Sequence, residues 1–286
     1  MEWSDIRLFL AIAREGTLGG AARTVGLTQP TMGRRLRTLE DAIGHRLFQR
    51  TADGFVLTHE GHIMLGHAER MEDEALAFQR ELTGDDGGLT GLLRISCSDW
   101  FGLHILAPIL AAFARQHPNV EVEILTEARL ADLTRREADL VFRITPFTEP
   151  DVVSRKLMHI PYGLYVPEAA GDPSPGNGKG WHVITMDEAF GSMPDAVWMA
   201  QRFPDARIAM RSNNRDVQAA LCADGVGMAV LPRPLGDKTM GLRLIELADP
   251  PPGRDTWLGY HRDLRRLARL RAFLDLILEA PQTRQV

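Results

Sequence analysis

The chain has 286 residues, of which 44% are hydrophobic and 25% charged, and its formal net charge is −5. This composition is typical of a globular protein of two or three domains. The apolar runs are too short for the ~20 residues of a membrane-spanning helix, and the first segment does not resemble a signal peptide. The two cysteines, Cys97 and Cys222, exclude a disulfide framework and favour the cytoplasm, and the acidic balance confines any nucleic-acid contact to a local basic patch.

The first 58 residues have the pattern of a small helical domain. Apolar residues at helical spacing predict a first helix that ends at Gly16, and Thr17 is placed to cap a short second helix that ends at Gly26. Thr28 is placed to cap a third helix, with Pro30 in its first turn, where the missing N–H has no intrahelical partner. Two short strand-like runs around a glycine turn then predict a hairpin.

Residues 59–82 have the pattern of one long helix. Apolar residues spaced by four, three, four, three and four form a heptad seam. The residues of this seam are Met64, Ala68, Met71, Ala75, Phe78 and Leu82. A lone helix would expose the stripe, so the pattern predicts pairing with a second copy of the chain; a glycine-rich linker follows.

From Leu92 onward, strand-like and helix-like segments alternate, which predicts an α/β fold with parallel or mostly parallel sheets. The predicted strands lie at 92–98, 120–126, 139–145, 162–169, 181–186, 206–212, 227–232 and 255–262. The predicted helices lie at 103–118, 129–138, 195–202, 216–223 and 264–278.

Two short helices around a tight turn, the second of them basic, are typical of a helix-turn-helix. Opposite the buried stripe, the third helix would present Pro30, Thr31, Arg34, Arg37 and Thr38. The stretch from residue 21 to residue 50 contains six arginines and only two carboxylates. Arginine suits phosphates and guanine edges, and glutamine can pair with adenine. The pattern favours DNA as a partner, with a solvated basic helix face as the alternative.

The run GTLGGAARTVGLTQPTMGRRLRTLEDAIGHRLFQRTADGFVLTHEG closely resembles the winged helix-turn-helix of LysR-type transcriptional regulators. The resemblance continues into LRISCSDWFG, DLVFRITP and RSNNRDVQAALCADGVGMAVLP, so it covers nearly the whole chain. It implies a winged helix-turn-helix at 1–58, a linker and dimerisation helix at 59–88, and a regulatory domain at 89–286. That domain would be two-lobed, of the periplasmic-binding-protein-like type 2 fold.

For the DNA-binding part, the resemblance implies a homodimer or homotetramer on an interrupted palindrome of double-stranded DNA. The side chains expected to face bases are those of Gln29, Pro30 and Arg34. Those expected to serve phosphates are Thr31, Arg35, Arg37 and Arg50. Gly33 lies on the same surface, where the family often has serine, so a hydroxyl contact is missing there. RNA polymerase is a further candidate partner.

For the regulatory domain, the resemblance implies one lobe at about 89–161 and 260–286 and another at about 162–259. Crossing strands would lie near 161–165 and 258–261. A small effector would bind in the cleft between the lobes. The residues expected to line it are Ser98, Asp99, Trp100, Arg143, Thr145 and Asn213. Each has a plainer alternative as a cap, a structural ion pair or a turn residue.

Other constellations give no catalytic, cofactor or metal prediction. The sequence HEGH at 59–62 lacks the H-E-x-x-H spacing of zinc enzymes. Cys97 and Cys222 near the cleft raise the idea of a thiol sensor, but free cysteines usually act as small buried hydrophobes. A ligand-binding protein or enzyme with an incidental N-terminal domain is the remaining rival to a regulator.

Asp99 and Trp100 stand where the family commonly has small or hydroxyl residues. A carboxylate there would repel a second carboxylate, and Trp100 would offer a stacking surface. Arg143 could bind an acid across the cleft or close onto Asp99 to leave a neutral pocket. We therefore expect an effector that is aromatic or largely neutral rather than a dicarboxylate.

Overall fold

A computed structural model describes residues 2–83, 88–126, 131–133, 137–171 and 177–280, apart from the side chains of residues 73, 74 and 76–83. Contacts divide the chain into two compact units, one formed by residues 1–91 and the other mostly by residues from Leu92 onward. Within the described ranges, no helix is both long enough and apolar enough to cross a membrane.

The first unit is helical with a two-stranded wing. Its elements are α1 (Trp3–Glu15), α2 (Leu18–Val25), α3 (Gln29–Ile43), β1 (Phe48–Arg50), β2 (Phe55–Leu57) and α4 (His59–Thr83). The hydroxyl of Thr17 accepts a hydrogen bond from the amide of Gly20 at 3.1 Å, and that of Thr28 accepts one from Thr31 at 3.4 Å. Gly26 has a φ of 74°, the left-handed conformation that ends α2. The predicted caps and helix ends are confirmed.

The core of the first unit is built from one face of each of its helices. Met32, Leu36 and Leu39 of α3 are buried together with Phe9 of α1. These positions recur at helical spacing, so the stripe predicted from the sequence is the buried face of α3. The opposite face of α3 is thereby left to solvent.

The beginning of α4 packs within its own unit. Ala68 is fully enclosed in the core beneath α1, and Met64 packs against the same core. An ion pair of 2.5 Å between Arg14 and Glu72 also joins α1 to α4. The prediction of one continuous free seam is therefore wrong for Met64 and Ala68, because α1 covers them. Met71 is 41% exposed, Ala75 is half-buried, and the side chains of Phe78 and Leu82 lie outside the described part.

The second unit contains two five-stranded sheets. The strands are β3 (Gly91–Ser96), β4 (Val120–Leu125), β5 (Leu140–Arg143), β6 (Val152–Ile160), β7 (Tyr162–Pro167), β8 (His182–Thr185), β9 (Arg207–Arg211), β10 (Met228–Pro232), β11 (Leu242–Ile245) and β12 (Arg254–His261). The helices are α5 (Asp99–Phe101), which a π-turn (Gly102–Leu106) joins to α6 (Ala107–Gln116), α7 (Pro194–Arg202), α8 (Arg215–Ala223), α9 (Arg233–Gly236) and α10 (Ala268–Glu279). Short 3-10 turns lie at Glu188–Phe190 and Arg262–Arg266.

The two sheets are mixed rather than mostly parallel. Their strand orders are β4-β3-β5-β12-β6 and β11-β7-β10-β8-β9. In the first sheet β3 and β5 are parallel, but β12 runs antiparallel to both β5 and β6. In the second sheet β7 runs antiparallel to β10 and β11. The expectation of mostly parallel sheets is wrong, because the predicted strands β12 and β7 run against their neighbours β5 and β10, and the two strands that the pattern missed, β6 and β11, also pair antiparallel.

The chain passes between the two lobes at two places. The first passage is at Pro161, between β6 and β7, as expected. The second lies between Ile245 and Arg254, because the whole of β12 belongs to the first sheet. The expected second crossing at 258–261, and with it a second lobe that reaches residue 259, is therefore wrong. Half of the residues of the helix expected at 129–138 lie outside the described ranges.

Candidate DNA-binding surface and effector cavity

The solvent face of α3 carries the residues expected to meet DNA. Gln29, Pro30, Arg34 and Arg37 are exposed, whereas Thr31 and Gly33 are half-buried. Arg50 is exposed at the end of strand β1 in the wing. This face therefore presents polar and cationic groups around the N-terminal half of α3, as in a recognition helix.

The arginines of the first unit fall into two groups. Among the described residues, no carboxylate lies within ion-pair distance of Arg34, Arg37 or Arg50. Arg35 differs, because its Nη2 donates to Asp5 Oδ1 and to Ser4 Oγ, both at 2.6 Å. This ion pair joins α3 to the start of α1 and argues against the phosphate role expected for Arg35.

Glu40 is a site residue that the sequence reasoning missed. Its side chain is 4% exposed, and one carboxylate oxygen accepts hydrogen bonds from the amides of Leu47 at 2.8 Å and Phe48 at 3.2 Å. The other oxygen pairs with Arg46 at 2.7 Å. This buried carboxylate fixes the wing to the end of α3. Arg50, at the end of β1 in the wing, is thereby held in place relative to the recognition helix.

The second unit has a cavity of about 470 Å³ between its two sheets. All six predicted effector residues line it. The lining residues that the sequence reasoning missed are Thr126, Phe142, Ile144, Tyr162, Met186, Phe190, Met193, Asn214, Arg215 and Arg254. Most of these are apolar or aromatic, as is usual for small-molecule sites.

Asp99 lies at the start of α5 and is held by neighbouring donors. One of its oxygens accepts a hydrogen bond from the amide of Trp100 at 2.8 Å, and the other accepts one from Nδ2 of Asn214. Among the described residues, no cation lies within ion-pair distance of this carboxylate. Asp99 therefore presents its negative charge to the cavity.

Arg143 lies on the cavity wall but its guanidinium group is already bound. It pairs with Glu149 at 3.1 Å, donates to the carbonyl oxygens of Thr145 and Pro146, and stacks 3.7 Å from the ring centroid of Phe147. The alternative in which Arg143 closes onto Asp99 is wrong. Backbone amides that donate to Glu149, and to a smaller extent Arg143, lower the pKa of that carboxylate.

Two buried arginines beside the cavity share one carboxylate. Arg215 donates to Asp195 Oδ2 at 2.6 Å, and Nη2 of Arg254 contacts Asp195 Oδ1. Both guanidinium groups stand over the ring of Tyr162, at 5.6 and 5.1 Å from its centroid. The three charged residues come from α7, α8 and β12, far apart in the sequence, and no spacing could have linked them.

Neither cysteine lines the cavity. Both are fully buried, and burial raises the pKa of Cys97 and of Cys222 to about 12. A thiol that stays protonated at neutral pH reacts slowly with oxidants. The idea of a thiol sensor therefore gains no support from either position.

Comparisons with known proteins match both units. A model described as the LysR substrate binding domain matches residues 86–282, and one described as the bacterial regulatory helix-turn-helix protein, lysR family, matches residues 3–62. The HTH-type transcriptional regulator DgdR of Burkholderia cepacia is 35% identical over 247 residues, which cover 81% of this chain and 78% of that protein.

Two solved structures share the fold over nearly the full length. A variant of full-length OxyR from Pseudomonas aeruginosa aligns with a TM-score of 0.68 at 20% identity and covers 99% of this chain and 100% of its own. CrgA, a LysR-type transcriptional regulator from Neisseria meningitidis, aligns with a TM-score of 0.59 at 22% identity, over 98% of both chains. Both domain models match, and the matched relatives are regulators rather than enzymes. The chain therefore belongs to the LysR family of bacterial transcriptional regulators.

Proposed function

We propose that this regulator acts in the cytoplasm and reads DNA through Gln29, Pro30 and Arg34, while Thr31, Arg37 and Arg50 hold phosphates. The observation that carries this assignment is that Arg34, Arg37 and Arg50 are exposed and none has a carboxylate within ion-pair distance among the described residues. Phosphates replace the missing counter-charges, and a bidentate arginine on a guanine edge supplies sequence preference. Gly33, next to Arg34, is half-buried and contributes no hydroxyl group to this surface.

We further propose that two copies pair through the part of α4 beyond Ala68, so that two helix-turn-helix units meet the half-sites of an interrupted palindrome. This is supported by Met71, an apolar residue that is 41% exposed. A homotetramer would then arise through the regulatory domains, and RNA polymerase is the partner through which transcription changes.

The cavity of the second unit is proposed as the effector site. It is enclosed by residues from both lobes, so a bound molecule would bias their relative arrangement. Its apolar walls would provide affinity, and its few charged groups would orient the bound molecule.

The test is binding of the full chain to the DNA upstream of its own gene at several salt concentrations, with footprinting. Two protected segments about one or more helical turns apart and a steep salt dependence are expected. Met71→Asp should reduce both the mass in light scattering and the DNA affinity. The matched control is Met240→Asp, at a methionine that is 91% exposed in the second unit, and it should change neither property. An unchanged mass for Met71→Asp would contradict pairing through α4.

A further inference from the structure

The charges around the cavity are not matched one to one. Arg143 has Glu149 as its own partner, whereas Arg215 and Arg254 share the single carboxylate of Asp195. The side chains of Arg215, Arg254 and Asp195 are only 5%, 9% and 2% exposed. Water therefore screens the second positive charge poorly, and this group carries an excess of one positive charge beside the cavity.

The excess is concentrated on Arg254. Arg215 donates to Gln218 and to the carbonyl oxygen of Val230 besides Asp195, so several acceptors satisfy it. In Arg254, Nη1 lies 3.4 Å from the sulfur of Met193, a weak acceptor, and Nε has no hydrogen-bond partner among the described residues. A buried donor without an acceptor costs free energy that an incoming acceptor can recover.

Other groups at the cavity do not remove this excess. Burial lowers the pKa of Arg254, yet an arginine remains charged. The field of Asp99 reaches Arg215, where it opposes the effect of burial on the pKa of that residue. Asp99 itself is fixed by Asn214 and by the amide of Trp100, so it remains as one negative charge on another part of the wall.

We propose that the effector is a small organic monoanion whose carboxylate is bound by Arg254, an inference that rests on the proposed role of the cavity as the effector site. The apolar part of the molecule lies against Trp100, Phe142 and Phe190, which line the same cavity. Asp99 disfavours a second carboxylate, so monoacids are selected over diacids of similar size. This replaces the expected largely neutral effector with an acid that carries one charge, and it keeps the expectation that dicarboxylates are disfavoured.

The experiment measures thermal shifts and calorimetric affinities of the full chain with matched sets of compounds at millimolar concentration. The sets are benzoate, benzamide and phthalate; phenylacetate, phenylacetamide and phenylmalonate; and hexanoate, hexanamide and adipate. Monoacids should raise the melting temperature, whereas their amides and diacids should not. Equal shifts by acids and amides would overturn the proposal and leave the effector site intact. No shift by any compound would instead contradict the effector site itself.

Two variants test the named residues. Arg254→Met leaves Arg215 and Asp195 as a matched pair and should weaken monoacid binding by roughly 30-fold or more. Arg207→Met, at an exposed arginine on β9 away from the cavity, is the control and should bind as the parent does. Asp99→Asn should admit the diacids, a gain of binding that misfolding cannot imitate. Retained monoacid binding in Arg254→Met, or continued exclusion of diacids by Asp99→Asn, would overturn the proposal.

Discussion

The two arginine-rich regions of this molecule differ in what surrounds their guanidinium groups. On α3 and the wing, Arg34, Arg37 and Arg50 are exposed and without carboxylate partners among the described residues. Beside the cavity, Arg215 and Arg254 are buried and share Asp195. The same side chain is thus used once in high dielectric and once in low dielectric.

This difference in exposure determines what each region can bind. An exposed arginine stays charged at little cost in free energy. Each one adds modestly to the affinity for a polyanion through the release of counterions, so that affinity depends on salt and on the number of arginines. A buried arginine is costly unless it is neutralised, so it selects one small partner, and salt affects that interaction weakly. The affinity of the DNA surface is therefore a sum of many small contributions, whereas binding in the cavity depends on neutralising one buried charge.

The largest effect is expected from removal of the shared carboxylate. Asp195→Asn leaves two buried guanidinium groups without a negative partner and should lower the free energy of unfolding by about 3–5 kcal/mol. Urea unfolding followed by tryptophan fluorescence suits the measurement, because four of the five tryptophans lie beyond residue 92.

The control for this change is Glu149→Gln, at a carboxylate that is 36% exposed and pairs with Arg143. It should cost no more than about 1 kcal/mol, because water screens an exposed pair. Adding Arg254→Met to Asp195→Asn should recover part of the loss. Similar costs for the two carboxylates would remove the contrast between the buried and the exposed ion pairs.

A smaller effect is expected on the DNA surface. Arg34→Ala should cost about 1–3 kcal/mol of binding to the specific site and relax preference at one base position. Arg50→Ala should weaken binding to all sequences alike and reduce the slope of affinity against salt. Anisotropy titrations with specific and scrambled duplexes separate these outcomes. Uniform losses in both variants would show that Arg34 meets a phosphate.

The sequence predicted the first unit well because its signals are local. Thr17, Thr28 and Gly26 act within one turn of their own helices, and Met32, Leu36 and Leu39 recur at a period that only one face of a helix can bury. The seam on α4 failed at Ala68 for the opposite reason. Its spacing shows that the face is covered but not whether α1 or a second chain covers it.

The cavity was only partly predictable, because many of its lining residues are brought together by pairing between distant parts of the chain. Ser98, Asp99 and Thr145 lie two or three residues beyond the ends of β3 and β5, so their place at the sheet edge could be inferred from the chain order and the family resemblance. Arg254 begins β12 after a proline-rich loop, and its partner Asp195 sits on α7 of the other lobe. Such a pairing depends on the antiparallel return of β12, which the pattern of alternating strands and helices did not contain.

The smallest effect concerns Arg35, the arginine that the structure moves from the DNA surface to an internal pair. The amide of Glu2 and then Arg35 hold the pKa of Asp5 below its ordinary value of 3.8. A carboxyl group whose pKa is lowered in the folded state stabilises the fold at pH values above its ordinary pKa. This contribution is lost as the pH falls through the lowered pKa. Asp5→Asn should therefore lower the free energy of unfolding by about 0.5–1 kcal/mol at neutral pH, and the difference from the parent should shrink below about pH 4. Arg35→Gln should show a similar loss of stability with an unchanged salt slope for DNA binding, whereas Arg37→Gln should reduce that slope and leave stability as it was. A salt slope that falls equally in both variants would return Arg35 to the phosphate contacts.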